Sequence, residues 1–142
     1  MTVVKKSRLV PYTCEQMFKI VDEVEYYQEF LPYFEKSVVH HRDEDEVQAT
    51  LVASFAGIHK SFTTRNRLQK DKMIEIRLID GPFSHLEGFW RFDETPEGCL
   101  ISVDLEFQFS TRMLSMMLGT FFEQVTNTMV DAFCSRAEKL YG

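Results

Sequence analysis

The sequence predicts an α+β fold in which a curved antiparallel sheet of about six to seven strands wraps around one long C-terminal helix. Between Ser37 and Phe109, short segments alternate apolar and polar residues and are separated by turn-forming residues, as in an antiparallel meander. Thr111–Leu140 instead repeats apolar residues at helical spacing and contains no proline. That helix would extend roughly 45 Å, so only the whole concave face of the sheet can cover it.

The N-terminal part predicts one strand and then short helices. Thr2–Val10 has the pattern of a strand and ends at a proline. Thr13 is a plausible N-cap, and Gln16 stands three residues later in the position of a capping box. A second short helical piece, Glu25–Phe30, is expected to stop before the next proline.

Six further segments have the residue composition of strands. They are Ser37–His41, Val47–Phe55, Lys60–Leu68, Met73–Ile79, Leu86–Phe92 and Ile101–Phe109. The last of these alternates most regularly, which predicts one buried and one solvated face. An acidic turn at 43–46 and glycine-containing breaks at Gly57, Gly81 and Gly98 separate the strands.

The apolar face of the predicted C-terminal helix is unusually broad at its start, where Met113, Met116, Met117 and Phe122 add to the regular stripe. One interpretation is that the helix lines a cavity, because methionine repacks readily around varied ligands. The alternatives are plain core packing and a hydrophobic contact with a second copy of the chain.

The bulk composition limits the class of protein. A chain of 142 residues suits a single domain, 1–142. A net charge of −6 argues against non-specific coating of nucleic acid, and no sequence-specific DNA binding is expected. The three cysteines, Cys14, Cys99 and Cys134, form no CxxC motif, and 1–10 has no signal-peptide pattern. We therefore expect a cytoplasmic protein with reduced thiols and no membrane-spanning segment.

Several local motifs occur along the chain. No single motif is specific for a family, but all of them in this order are specific. These are Met17-Phe18, Tyr27, Phe30-Leu31-Pro32, Phe62-Thr63-Thr64-Arg65-Asn66, Gly81-Pro82-Phe83, Leu86-x-Gly88-x-Trp90-x-Phe92, Phe107-x-Phe109 and Ala132-Phe133-x-x-Arg136-Ala137. With them the chain resembles the helix-grip, START-like superfamily over its whole length. Within it, the likeness is to the polyketide cyclase/dehydrase and lipid-transport group, which includes coenzyme-Q-binding proteins and the bacterial ribosome-association toxin RatA.

The resemblance implies a ligand-binding fold without catalytic residues or a required cofactor, with ubiquinone or a similar isoprenoid lipid as the ligand. It also implies a bacterial branch that binds the large ribosomal subunit and blocks subunit joining. Relatives often differ at Tyr33-Phe34, so the identity of the ligand stays open.

The predicted cavity between sheet and helix is lined by apolar residues and a few polar ones. The candidates are Phe30, Leu31, Phe62, Thr64, Asn66, Phe83, Trp90, Phe107, Leu118, Phe121, Phe122, Val125 and Met129. Trp90, Thr64 and Asn66 would meet a polar head group. The alternative is that Trp90 is simply packed, and that Thr64 and Asn66 bond to the neighbouring backbone or a buried water.

A local excess of basic residues is predicted around the outer face of the same strands. Arg65, Arg67 and Arg77 are expected on that face, and Lys60, Lys70 and Lys72 close by, so that Lys60, Arg65, Arg67, Lys70 and Arg77 form a basic surface. Such a surface could receive ribosomal RNA phosphate, an acidic partner, or the inner membrane of a bacterium in a transient peripheral contact. A solvated face that prevents aggregation is the alternative. The aromatic segment 26–34 could likewise cap the cavity, dip into a membrane interface or lie buried under the sheet.

No enzyme or metal constellation is recognised. His40, His41, His59 and His85 form no HExxH motif or helical ligand pair, and no phosphate-binding or nucleophile motif is present. The first hypothesis is therefore non-catalytic binding of a hydrophobic ligand in support of respiration. The second is a RatA-like toxin that inhibits translation, and the third is a cyclase or hydrolase. The oligomeric state is not predicted.

Overall fold

The computed structural model describes residues 1–142 and has the predicted order of elements. The strands are β1 (Thr2–Val10), β2 (Phe34–Arg42), β3 (Glu46–Phe55), β4 (Ile58–Gln69), β5 (Met73–Asp80), β6 (Phe83–Thr95) and β7 (Gly98–Phe109). The helices are α1 (Cys14–Asp22), α2 (Tyr27–Phe30) and α3 (Arg112–Tyr141). No helix combines the length and the apolar character that crossing a membrane would demand.

All seven strands form one antiparallel sheet in the order β1-β7-β6-β5-β4-β3-β2. Consecutive hairpins build the sheet from β2 to β7, and the N-terminal strand then pairs with the last one. The predicted α+β architecture is confirmed, with the upper value of the predicted strand number.

Local signals in the sequence explain where helices α1 and α3 begin. The Thr13 hydroxyl accepts a hydrogen bond from the Gln16 amide at 3.1 Å, and the Gln16 side chain accepts one from the Thr13 amide at 3.0 Å. The capping box is thus confirmed. Thr111, predicted as the first residue of the last helix, is its N-cap, and its hydroxyl accepts from the Leu114 amide.

Several predicted boundaries differ from the structure, and β7 begins three residues earlier than predicted, at Gly98. The single helical piece 25–30 is divided into a 3₁₀ turn, Val24–Tyr26, and the one turn of α2, which together redirect the chain so that Tyr27 is buried. β2 begins three residues early, at Phe34, and β6 begins at Phe83 because Phe83 pairs with Phe109 across a β-bulge.

The strand faces follow the predicted alternation. Phe62, Thr64 and Asn66 of β4 are buried, and every second residue of β7 from Ile101 to Phe109 is buried. An irregularity in the β4–β5 pairing falls at Ile79 of β5, so the alternation of β4 itself is preserved. Helix α3 packs against β1 and β7, and it lies farther from β3, β4 and β5.

Candidate ligand cavity and outer sheet face

An apolar cavity lies between α3 and the concave face of the sheet. Its volume is about 70 Å³. Its walls are Val24, Tyr27, Phe34, Leu51, Phe62, Thr64, Asn66, Ile76, Leu86, Trp90, Val103, Leu105, Phe122, Thr126 and Met129. Six of the residues that the sequence predicted for a cavity are therefore together here: Phe62, Thr64, Asn66, Trp90, Phe122 and Met129.

A polar pair interrupts this apolar wall. The Thr64 hydroxyl donates to the Asn66 side-chain oxygen at 3.1 Å, and both residues are buried. The Thr64 hydroxyl and the Asn66 oxygen thus satisfy one another instead of the backbone. Asn66 also lines the cavity, where its side-chain nitrogen can donate to a ligand acceptor or a water molecule.

Trp90 forms another part of the wall. It is buried, and its ring meets Phe133 of α3 edge to face, with centroids 5.1 Å apart. One side of the indole is therefore fixed by core packing, and the same residue lines the cavity. A rigid aromatic surface of this kind suits stacking against a flat apolar group.

Tyr27 is the one ionisable residue of the cavity wall. Its hydroxyl donates to the carbonyl of Val21, and burial raises the pKa of the phenol far above its ordinary value. The walls include no carboxylate, imidazole, amine or thiol. General acid–base catalysis needs a group whose pKa is close to the working pH, so this arrangement suits binding better than chemistry.

A smaller apolar pocket, which we call the entrance pocket, lies at the start of α3. Its volume is about 20 Å³, and its walls are Ala53, Phe55, Ile58, Lys60, Phe62, Pro82, Phe83, Phe109, Leu118, Phe121 and Phe122. Phe62 and Phe122 line both this pocket and the central cavity. At its rim, Phe121 stacks on Phe55 and meets Tyr33 edge to face. Tyr33, from the predicted aromatic segment, therefore helps to cover the rim.

The other predicted cavity residues lie elsewhere. Leu31 and Val125 line a shallow groove between α3 and the segment before β2. Phe30 lies on the far side of Phe133, where the Arg136 guanidinium stands 4.9 Å from its ring centre. Phe107 is covered by the rings of Phe83, Phe109 and Phe122 and is core. Neither Phe30 nor Phe107 lines the cavity, which corrects that part of the prediction.

Nine cavity residues were absent from the prediction, and they fall into two groups. Leu51, Leu86, Val103 and Leu105 have the inward alternation that the sequence shows, so the pattern could have identified them. The others reach the cavity only through tertiary placement: Val24, Tyr27, Phe34, Ile76 and Thr126.

The predicted basic surface is interleaved with carboxylates. Arg65 lies 3.2 Å from Glu46, and Arg77 lies 2.7 Å from Glu87. Arg67 is the register partner of Glu46 on β3 and of Glu75 on β5. Cross-strand pairs of opposite charge stabilise a sheet face, so this arrangement also agrees with a solvated face.

The lysines predicted close to these arginines do not share the outer face. Lys60 has the same alternation as Phe62 and lines the entrance pocket. Lys70 and Lys72 lie in and beside the turn that joins β4 to β5. Of the predicted basic residues, the three arginines 65, 67 and 77 are the ones that lie on the outer face.

In a comparison with known protein families, residues 10–134 match the family described as polyketide cyclase / dehydrase and lipid transport. The ribosome association toxin RatA of Pseudomonas aeruginosa is 40% identical over 99% of both chains. RatA of Vibrio cholerae is 41% identical over 100% of this chain and 99% of its own. The mitochondrial coenzyme Q-binding protein of Drosophila melanogaster is 26% identical over 96% of this chain and 59% of its own.

Solved structures agree on the fold. A START superfamily protein from Mycobacterium smegmatis has a TM-score of 0.80 at 21% identity, and covers 97% of this chain and 98% of its own. The Zhui aromatase/cyclase from Streptomyces has a TM-score of 0.80 at 17% identity. The match covers 97% of this chain and 94% of the cyclase chain. At these identities the similarity shows the START-like fold alone.

Proposed function

The chain belongs to the polyketide cyclase / dehydrase and lipid transport family, and on this premise we propose that it is a non-enzymatic protein that holds an apolar ligand in its central cavity. The observation that supports this most directly is the composition of the wall, which is mainly apolar with a few polar residues, among them Thr64, Asn66 and Thr126. A mainly apolar pocket with a few oriented polar groups is the usual form of a small-molecule site.

The size of the cavity indicates how the ligand would be held. Ligand pockets usually measure about 300–1,000 Å³, whereas this cavity measures about 70 Å³. A long ligand would therefore have to displace side chains, and the Phe62–Phe122 pair, which lines both spaces, is the one that would open toward the entrance pocket. We propose an isoprenoid quinone or lipid, with its head near Asn66 and Trp90 and its tail toward Phe121. A quinone-binding role would support respiration.

Native mass spectrometry of protein purified without detergent, followed by solvent extraction, tests this proposal. Phe122→Glu should abolish retention of added ubiquinone, because it places a charge where the tail would lie. Met116→Glu, an exposed position on the same helix, is the matched control and should retain it. Because Phe122→Glu also threatens folding, Leu51→Trp, which fills the cavity with an apolar group, is the second variant. Ubiquinone retention by folded Phe122→Glu and Leu51→Trp would contradict the proposal.

A second function is favoured by the degree of similarity. The relatives named ribosome association toxin are 40% and 41% identical over nearly the whole of both chains, against 26% for the coenzyme Q-binding protein. We therefore propose that the biological role is association with the large ribosomal subunit and inhibition of subunit joining. Binding of an apolar ligand and binding of the ribosome can coexist, because the cavity and the outer face lie on opposite sides of the sheet.

The outer arginines are the proposed contact with ribosomal RNA. Changing Arg65, Arg67 and Arg77 together to glutamate should remove co-sedimentation with large subunits, since phosphate contacts depend on basic side chains. Changing the exposed Lys19, Lys36 and Lys139 to glutamate alters the net charge equally and should leave co-sedimentation intact. Equal loss in both triple variants would mean that net charge, and not this face, controls the association.

The third hypothesis, a cyclase or hydrolase, has weaker support. Its basis is the fold shared with an aromatase/cyclase at 17% identity, and fold alone does not determine chemistry. The cavity wall offers Thr64, Asn66, Thr126 and the strongly basic phenolate of Tyr27, none of which is a general acid or base near neutral pH. Turnover of a defined polyketide that depends on one of these residues would establish an enzymatic role.

A further inference from the structure

Three potential metal ligands converge on the outer face of the sheet, away from the cavity. The His85 Nε2 atom lies 2.9 Å from Glu106 Oε1 and 3.6 Å from Glu87 Oε1. One ligand atom from each of the three residues lies within 4.8 Å of the other two. The side chains are 30%, 32% and 37% exposed, so the cluster is partly shielded from water yet reachable.

The sheet itself builds this cluster. Glu87 of β6 and Glu106 of β7 are register partners, so two carboxylates stand directly opposite each other. Like charges in that position destabilise an antiparallel pair. Arg77 compensates Glu87, and a metal ion would add a cation shared by both carboxylates. The β-bulge between Phe83 and His85 lets Phe83 and Leu86 both point inward while His85 stays on the outer face beside Glu87. Neither strand is at a sheet edge, so the positions are rigid.

From this geometry we propose that His85, Glu87 and Glu106 bind a divalent transition metal ion such as Zn²⁺. Tetrahedral Zn²⁺ with bonds of about 2.0–2.1 Å holds its ligand atoms about 3.4 Å apart, and the two observed distances to His85 lie on either side of that value. One imidazole and two carboxylates form a suitable set, whose two negative charges neutralise the ion. The remaining position is open to water or an anionic group.

Neighbouring residues define the orientation of this set. The Arg77 guanidinium holds the other oxygen of Glu87, Oε2, at 2.7 Å, so Oε1 faces His85. Outer hydrogen bonds of this kind orient metal ligands. Lys5 on the neighbouring strand β1 lies 3.7 Å from Asp104 and is a second cation near Glu106. Without metal, the Nε2 proton of His85 can bond to Glu106. Metal binding therefore replaces this hydrogen bond with a bond from Nε2 to the metal. The metal-free and metal-bound forms of His85 can thus be distinguished by experiment.

Titration calorimetry of the reduced, chelator-treated protein with Zn²⁺ tests the proposal. We expect one equivalent to bind, and His85→Ala and Glu106→Gln each to weaken binding at least tenfold. His59→Ala is the matched control, because His59 pairs with a single carboxylate, Glu35, at 2.6 Å. It should leave the affinity unchanged. No binding to the parent protein, or equal affinity in His85→Ala, would overturn the proposal.

Co²⁺ provides a second, spectroscopic measurement. The parent protein should show visible absorption of a nitrogen- and oxygen-ligated ion, lost in Glu106→Gln, with no sulfur-to-cobalt charge-transfer band. Such a band would assign the metal to Cys14, Cys99 or Cys134 and overturn the site. Circular dichroism should be the same for all variants, because the changed side chains lie on the outer face.

Discussion

The rings of Phe62 on β4 and Phe122 on α3 meet edge to face, with centroids 6.0 Å apart and planes inclined by 79°. Both side chains line the central cavity and the entrance pocket, so this pair separates the two spaces. A ligand that passes from the cavity into the entrance pocket has to extend between these rings. We therefore expect the pair to combine core packing with control of that passage.

Phe122→Leu should accelerate uptake of ubiquinone, because it opens the passage and keeps it apolar. The lost volume should destabilise the domain by about 1–3 kcal/mol. Phe107→Leu removes the same volume from a buried position outside both spaces and should destabilise similarly without faster uptake. Quenching of the single tryptophan, Trp90, measures uptake, and thermal unfolding measures stability. Equal uptake rates in the two variants would contradict a gating role.

Asn66→Leu should weaken binding of a ligand with a polar head by about fivefold, because one hydrogen bond contributes about 1 kcal/mol. Asn66 lines the cavity, and its side-chain nitrogen can donate to the head group. A hydrocarbon of similar length is the control ligand, and its affinity should be unchanged or slightly higher. Equal losses for both ligands would mean that the substitution changes the cavity shape instead.

Two glycines should respond in opposite ways to alanine. A Cβ atom at Gly88 would stand 2.2 Å from the Asp104 carbonyl oxygen and 2.8 Å from the Leu105 Cα, so β6 and β7 would have to separate. We expect Gly88→Ala to destabilise the domain by about 1–3 kcal/mol. At Gly119, within α3, the nearest atom is 3.7 Å away, and alanine should stabilise by up to about 1 kcal/mol. Urea unfolding of both variants measures the difference, and the same sign for both would refute the steric argument.

Arg42→Met should give a pH-dependent loss of stability. Arg42 donates to both carboxylate oxygens of Asp22 at 3.1 Å and to Glu25 at 2.8 Å. Burial raises the pKa of Asp22, and Arg42 opposes that rise. Without Arg42 this pKa rises further, so the ionised form becomes costly in the folded state.

The sign of the effect follows from this shift. A raised folded pKa means that stability present at low pH is lost as the pH rises through that pKa. The variant should therefore be about 1 kcal/mol less stable than the parent at neutral pH, and the difference should shrink as Asp22 is protonated. Denaturant unfolding from pH 3 to pH 8 measures it, with Arg91→Met as an exposed control. A difference independent of pH would exclude Asp22 as its source.

The cysteines should resist alkylation in the folded protein. Cys14 and Cys99 are buried with their sulfur atoms 2.9 Å apart, and Cys134 is buried separately. Burial raises the pKa of all three thiols, which suppresses the reactive thiolate. Mass spectrometry after iodoacetamide treatment at pH 8 should find no modification until denaturant is added. Rapid modification of Cys14 in native protein would show that the first turn of α1 opens readily.

Local sequence patterns were sufficient to predict the strands and helices of this fold. The alternation of β7, the capping box at Thr13 and Gln16, and the helical spacing of α3 each depend on residues close in the chain. They were confirmed because hydrogen bonding and side-chain direction repeat with fixed periods along a strand or helix. The resemblance drawn from scattered motifs added the family, which no single motif could have identified.

The sequence by itself determined which face of each strand is buried, and only the tertiary structure decided which buried residues line a cavity. Phe62 and Phe107 have the same inward alternation, yet Phe62 borders an open space and Phe107 is enclosed by other rings. Helix α3 lies close to β1 and β7 and leaves the space beside β3, β4 and β5 unfilled. Likewise, the pairing of Glu87 with Glu106 depends on strand register, which joins residues far apart in the chain. Periodicity fixes the direction of a side chain, but its neighbours depend on how separate elements pack.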